Sequence, residues 1–296
     1  MIREQLSSLD SVNLNLASGT GLVMSIVLAL IMFGIALGIN GVTLKNVFFK
    51  PKSIIVGLVL QWFGLPFVTF LLIMALNSFL TPMVCLGMIL VASCPGGNIS
   101  NFMSSISHGN IELSVSLAAV STVSSPIITP FNFWFWGNLY LKYSAMSNSL
   151  VIPNLTKKIK KPFSIFSLVV FIVMVLGMFI PNWQIFIKYI IFIFVLVLIH
   201  NACAFGTGAL GATVMKLPAR DRRSITIEVG IQNSGLGLTL LLNPAIFKPE
   251  IWNNPATGIL YGGMLFVTAW WGIWHIISGL ALSAYFRSKP LPEEQK

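Results

Sequence analysis

Apolar residues in this chain arrive in long blocks. They recur around 20–39, 54–76, 82–106, 111–130, 163–180, 184–212, 224–243 and 257–286, with short polar or basic joints between them. A helix needs about 20 apolar residues to cross a hydrocarbon layer about 30 Å thick. The pattern therefore predicts eight clear spans in one membrane domain, residues 1–296, with short tails at both ends. A further stretch, 131–156, is intermediate. It opens aromatic (Phe131, Phe133, Trp134, Phe135, Trp136), turns polar around Ser144 to Ser149, and leads into Lys157, Lys158, Lys160 and Lys161.

Two of the blocks are interrupted in a way that ordinary spans are not. The third holds Cys94-Pro95-Gly96-Gly97-Asn98-Ile99-Ser100-Asn101, where proline removes a backbone donor and paired glycines relax the helix. The seventh holds Glu228-Val229-Gly230-Ile231-Gln232-Asn233-Ser234-Gly235, again glycine-bracketed and polar. Unwound backbone at bilayer depth costs several kcal/mol per unserved group, roughly, unless it lines an enclosed or hydrated cavity. Two broken helices, one in each half, point to a midplane site between inverted repeats, at about 20–140 and 157–286. The breaks meet in opposite orientation only if 131–156 returns across the membrane. The expectation is therefore an all-α polytopic protein with nine crossings, the fifth of them thin and polar.

Composition narrows the classes of function. With 56% hydrophobic and 9% charged residues the chain is no soluble enzyme or binding module, since soluble domains carry roughly a quarter charged residues. The net charge of +10 does not signal nucleic acid, because the basic residues sit in the joints, as in polytopic membrane proteins. The lipid bilayer is the expected surrounding, in the cell membrane, or the inner membrane of a bacterium. Cys85, Cys94 and Cys203 lie in apolar stretches without metal or disulfide spacing. No phosphate loop, His-Glu metal motif or Ser/His/Asp set supports an enzyme, and no obligate protein partner is indicated.

Of the eight acidic residues, Glu4, Asp10, Glu293 and Glu294 fall in the tails, Asp221 and Glu250 in joints, and Glu112 at a helix start. Only Glu228 is deep. A carboxylate at the centre of a span costs about 2.5–3.5 kcal/mol on insertion scales, and neither broken segment offers a Lys or Arg beside it. Neutral oxygens surround it in the pattern: Asn98, Ser100, Asn101, Ser114, Gln232, Asn233, Ser234 and freed carbonyls. Such a set suits a small hard cation.

These motifs resemble the bile acid:sodium symporter family over about residues 20–286. The resemblance rests on the two broken segments, on Gly109-Asn110 followed by Leu113-Ser114-Val115, on Gln61 ahead of Pro66, on His200-Asn201, and on Trp274-His275 with Ser278-Gly279. It implies a panel of helices beside a core, with one or two sodium ions next to the crossed breaks. It assigns one sodium site to Ser100, Asn101, Ser114 and Glu228. The second goes to Gln61, Glu228, Gln232 and carbonyls near Val229 and Ile231. It sets Asn98, Asn233 and His275 toward an organic anion. Two positions depart from the family pattern: Ala118 stands where a threonine ligand is usual, and Ile276 where an asparagine is frequent. The function implied is sodium-coupled import of a small organic anion such as a bile acid, keto acid or pantoate-like acid. The alternatives are a non-transporting sensor or inactive paralogue, and a proton-coupled exporter using Glu228 as proton carrier.

Overall fold

The computed structural model describes residues 2–10, 51–97, 99–144, 183–243, 246–248, 260–289 and 291. Among these residues there are nine helices. They are α1 (Ile2–Asp10), α2 (Pro51–Leu76, with a π-helical turn at Leu60–Gly64), α3 (Pro82–Ser93), α4 (Ile99–Ile106) and α5 (Ile111–Tyr143), followed by α6 (Trp183–Val214), α7 (Ala219–Gly230), α8 (Ser234–Leu241) and α9 (Gly262–Arg287).

Four of them are long and apolar enough to cross a membrane: α2, α5, α6 and α9. Their outward faces are apolar stripes at helical spacing. In α2 the exposed stripe runs Ile55, Val59, Phe63, Phe67 and Leu71, and in α6 it begins Ile187, Ile191 and Val195. A face of this kind suits lipid rather than water. Two of the short helices lie inside. Every residue from Met83 to Ser93 in α3 is buried, as is every residue of α8, so both are hydrophobic all round in the manner of fully enclosed helices.

Both expected breaks are present. The block 82–106 divides into α3 and α4, and the block 224–243 into α7 and α8. The intervening residues pair with each other: Gly97 N–H donates to the Ile231 carbonyl at 2.8 Å and Asn233 N–H to the Pro95 carbonyl at 2.8 Å. They form an isolated antiparallel bridge, Gly96 against Gln232. The two unwound segments thus serve each other's freed backbone, which meets the cost of unwinding at depth. Gly96 and Gln232 stand 136 residues apart, as do Pro95 and Ile231, and Gly97 and Asn233. Pro82, which opens α3, precedes Pro218, the residue before α7, by the same interval.

The aromatic stretch departs from the expected course. Residues 131–143 do not turn back as the start of a separate thin crossing. They prolong the helix that begins at Ile111, giving 33 residues without a break, about 50 Å at 1.5 Å per residue. Pro126 and Pro130 lie inside it. The Thr122 carbonyl, deprived of a donor by Pro126, receives the Ser125 hydroxyl at 2.8 Å. The remainder of that stretch, 145–156, lies outside the described residues, as do the apolar runs 20–39 and 163–180.

One tail is also structured. In α1, Leu6 and Leu9 are buried, and the helix packs on α3, α6 and α9. Its last residue, Asp10, accepts the Thr81 hydroxyl at 3.0 Å and the Met83 N–H at the start of α3. At the opposite end of the bundle the basic joints gather. Asp221 accepts the Ser53 hydroxyl at 2.6 Å and the Asn110 side-chain amide at 2.7 Å. Arg223 donates to the Ser107 carbonyl at 2.7 Å and to the Lys289 carbonyl. This clamp ties the entry of α7 to the joint between α4 and α5, so both half-helices on that side are held together.

Candidate ion and anion site at the crossed breaks

Glu228 sits in the last turn of α7, just before the break, and is 1% exposed. No cation pairs with it among the described residues. Its Oε2 accepts the Ser100 hydroxyl at 2.5 Å from the first turn of α4, and the Ser114 hydroxyl lies 3.2 Å away on α5. Ser114 is also 2.9 Å from Asn101 Oδ1 and 3.1 Å from the Ser104 hydroxyl. A hydroxyl has one proton to give, so Ser114 serves either Glu228 or Asn101. Acceptors outnumber protons in this cluster, which is the condition under which a cation lowers the energy of its oxygens.

The other carboxylate oxygen, Glu228 Oε1, is buried without a partner. Around it stand three more buried polar atoms in the same condition: both amide atoms of Gln61 and the Oε1 of Gln232. Glu228 Oε1 and the Gln61 amide nitrogen meet at Gly96, whose backbone pairs with that of Gln232. A Cβ placed there would lie 2.1 Å from Glu228 Oε1 and 2.8 Å from Gln61 Nε2. Leaving a buried acceptor unserved costs about 1–3 kcal/mol, more for a charged group, so several in one spot mark a place for a ligand. The carbonyls expected to join them are partly engaged. Val229 accepts the Gln232 side-chain amide at 2.7 Å, and Ile231 accepts Gly97 N–H. Each retains a second lone pair.

The expected cation ligands are thus brought together in two clusters that share Glu228. Ala118, 3% exposed and one turn beyond Ser114, adds no side-chain oxygen to the first cluster. The expected anion contacts are less concentrated. Asn98 lies outside the described residues. Asn233 uses its Oδ1 to cap α8, accepting Leu236 N–H at 3.0 Å. His275 is buried on α9 with Nδ1 unpartnered. One turn further on, Gly279 packs against Met103 and Ile231, so α9 passes beside the crossing.

Two features of the site were absent from the sequence reading. Asn201 donates to the Gly230 carbonyl at 2.8 Å and accepts the Ser278 hydroxyl at 2.5 Å, which pins the end of α7 between α6 and α9. Gln61, moreover, is carried on a π-helical turn, a geometry that recurs at functional sites. The signal available for the turn is Pro66, four residues after Trp62.

The sequence model of the Sodium Bile acid symporter family matches residues 25–205, more than half of the chain. Among similar proteins, the uncharacterized sodium-dependent transporter YocS of Bacillus subtilis is 29% identical over 284 residues, covering 90% of this chain and 83% of the relative. A probable chloroplastic sodium/metabolite cotransporter, BASS1 of Arabidopsis thaliana, is 28% identical over 78% of this chain and 60% of its own length. The sodium-dependent organic anion transporter of Homo sapiens is 26% identical over 74% of this chain and 63% of its own length. The chain thus spans less than two thirds of the latter two relatives. With its crossed breaks, its buried acid and this match, the chain is a multi-pass membrane protein that belongs to the sodium bile acid symporter family, a family of sodium-coupled transporters and not of enzymes.

Proposed function

We propose that the chain is a secondary active symporter that uses the sodium gradient to import a small organic anion. The observation that carries this reading is the buried, unserved Glu228 Oε1 facing the unserved Gln61 amide at Gly96, with the unserved Gln232 amide oxygen on the residue bridged to that glycine. One carboxylate with neutral oxygens offers a hard monovalent cation its charge balance and replaces its hydration shell. In the second cluster Ser100, Asn101, Ser114 and Glu228 offer the same chemistry with one oxygen fewer, because of Ala118.

Sodium acts here as a co-substrate. Glu228 lies at the end of α7, and Gln232 and Asn233 lie in the break that pairs with Pro95 and Gly97. A cation held by Glu228 and Gln232 therefore stiffens the crossed segment from which the anion contacts Asn98 and Asn233 would project. Ordering by the first ligand lowers the cost of binding the second, and the coupling is reciprocal. The half-helices α4 and α8 begin at the crossing, and their positive N-terminal ends favour a carboxylate or sulfonate in the cleft, with His275 on the neighbouring helix.

The test is uptake of radiolabelled organic anions into proteoliposomes at fixed pH, with an inward gradient of sodium or of potassium. Uptake with sodium alone is expected, and Glu228→Ala should abolish it while the protein still folds. Equal uptake in potassium with a pH gradient would shift the role of Glu228 to proton carriage. Full sodium dependence in Glu228→Ala would remove that residue from the ion site.

A further inference from the structure

We propose that Pro66 and Asn132 are positioning residues of the ion site: together they maintain the π-helical turn of α2, and that turn presents Gln61 to Gly96 and Glu228. The inference rests on the reading of Gln61 as an ion ligand given above.

In an α-helix each N–H serves the carbonyl four residues back. The Leu65 N–H instead reaches five back, to the Leu60 carbonyl. Gln61 therefore loses its α-helical donor. In the wider register its donor would come from residue 66, which is proline and has none. The Trp62 carbonyl loses its own α-helical donor to the same proline. One residue thus strips two successive carbonyls in the middle of a span, where an unserved backbone group costs several kcal/mol, roughly.

The two carbonyls are treated differently. That of Trp62 receives the side-chain amide of Asn132 at 2.7 Å, delivered from α5 by the part of that helix beyond Pro130. Asn132 is 1% exposed and its Nδ2 makes no other bond among the described residues. That of Gln61 keeps no helical donor and belongs to the residue whose own amide is buried and unserved beside Glu228. The facing helix makes room for the extra residue. Leu60 is pushed into the groove at Gly211 of α6, where a Cβ would stand 2.3 Å from Leu60 Cδ2, and Gly64 lies against the Thr207 methyl.

A π turn is an inserted residue, and one residue is about 100° of rotation in an α-helix. Return to the α register would swing Gln61 about a quarter-turn relative to the lower half of α2, off the crossing. Proline forbids the return from within the helix, and Asn132 stabilises the displaced carbonyl from outside it. The aromatic extension of α5 is in this way linked to the ion site.

The experiment uses the full chain in detergent and reads the sodium concentration that gives half of the rise in melting temperature, with potassium chloride as the reference salt. A sodium-specific rise in the wild type, moved to higher sodium by Gln61→Ala, establishes the parent reading. Pro66→Ala returns a donor to the helix, and its half-point is expected about tenfold or more above wild type, the loss typical when a partner that orients a ligand is removed, with no fall in melting temperature in potassium. Asn132→Ala and Asn132→Asp, which both lack the donating amide, should move the half-point likewise. In the Pro66→Ala/Asn132→Ala double variant the shifts should fail to add, because the carbonyl served by Asn132 has regained its own donor. Half-points for Pro66→Ala and both Asn132 variants within twofold of wild type, with Gln61→Ala still shifted, overturn the inference alone. If Pro66→Ala does not fold, the two Asn132 variants decide it in the same way. A wild type indifferent to sodium, or a Gln61→Ala variant that keeps the wild-type half-point, overturns the parent reading and the inference with it.

Discussion

At Gly96 the absence of a side chain leaves room for the Glu228 carboxylate and the Gln61 amide. A Cβ there would lie 2.1 Å from Glu228 Oε1 and 2.8 Å from Gln61 Nε2, atoms of two residues of the proposed ion site. Gly96→Ala should therefore displace the carboxylate and lower sodium-dependent uptake more than tenfold, checked by transport alongside size-exclusion of the purified variant. Several of these residues were legible from type and depth. Glu228 is the one acid deep inside an apolar block, and Ser100, Asn101, Ser114, Gln232 and Asn233 are polar where lipid chemistry penalises polarity. Gln61 came from family resemblance. Asn132 was not legible, because its partner is a main-chain oxygen exposed by a proline, and no pairing of side-chain types announces such a bond.

The broken helices were readable because Pro-Gly-Gly and paired polar residues inside an apolar block have few other uses. The unbroken helix α5 was not, since Pro126, Pro130 and the polar residues after them carry the signature of a boundary. The bond from Ser125 to the Thr122 carbonyl neutralises that signature locally. The docking of α1 was missed for another reason: nine residues hold too few apolar positions to stand out, and only the tertiary contacts of Leu6 and Leu9 reveal the buried face. Its carboxylate makes a specific prediction. Burial raises the Asp10 pKa from 3.8 to about 7, against the opposing effect of its bonds to Thr81 and Met83. The docked state then binds a proton that the released helix gives up, so docking is firmest below about pH 4 and weakens as pH rises toward 7. Hydrogen exchange of the α1 amides should accelerate, beyond the intrinsic base-catalysed rise, between pH 5 and 7. Asp10→Asn should remove that excess.

Across the whole molecule, the interval of 136 residues relates elements of opposite direction, yet the chemistry it relates is unlike. The residue 136 positions before Glu228 is Ala92, and Leu236 stands 136 after Ser100. The acid comes from one half alone, and the hydroxyls that bond it, Ser100 and Ser114, come from the other. Charge movement follows from how many cations the shared carboxylate holds. Two sodium ions with a monovalent anion move one net charge, worth about 2.3 kcal/mol per 100 mV, and one sodium ion moves none. With Ala118 in place of a ligand, uptake is expected to be indifferent to a potassium-diffusion potential, and Ala118→Thr should make it potential-sensitive, as measured in proteoliposomes clamped with valinomycin. The reciprocal amide bonds of the crossing add a limit on size. Gly97 to Ile231 and Asn233 to Pro95 are each 2.8 Å and cannot lengthen without exposing backbone at depth. At Gly96 the backbone so fixed lies directly against the Glu228 carboxylate and the Gln61 amide, with no room for a side chain between them. A cation bound in that frame is expected to be a small one, so potassium and rubidium should raise the melting temperature less than sodium at equal concentration.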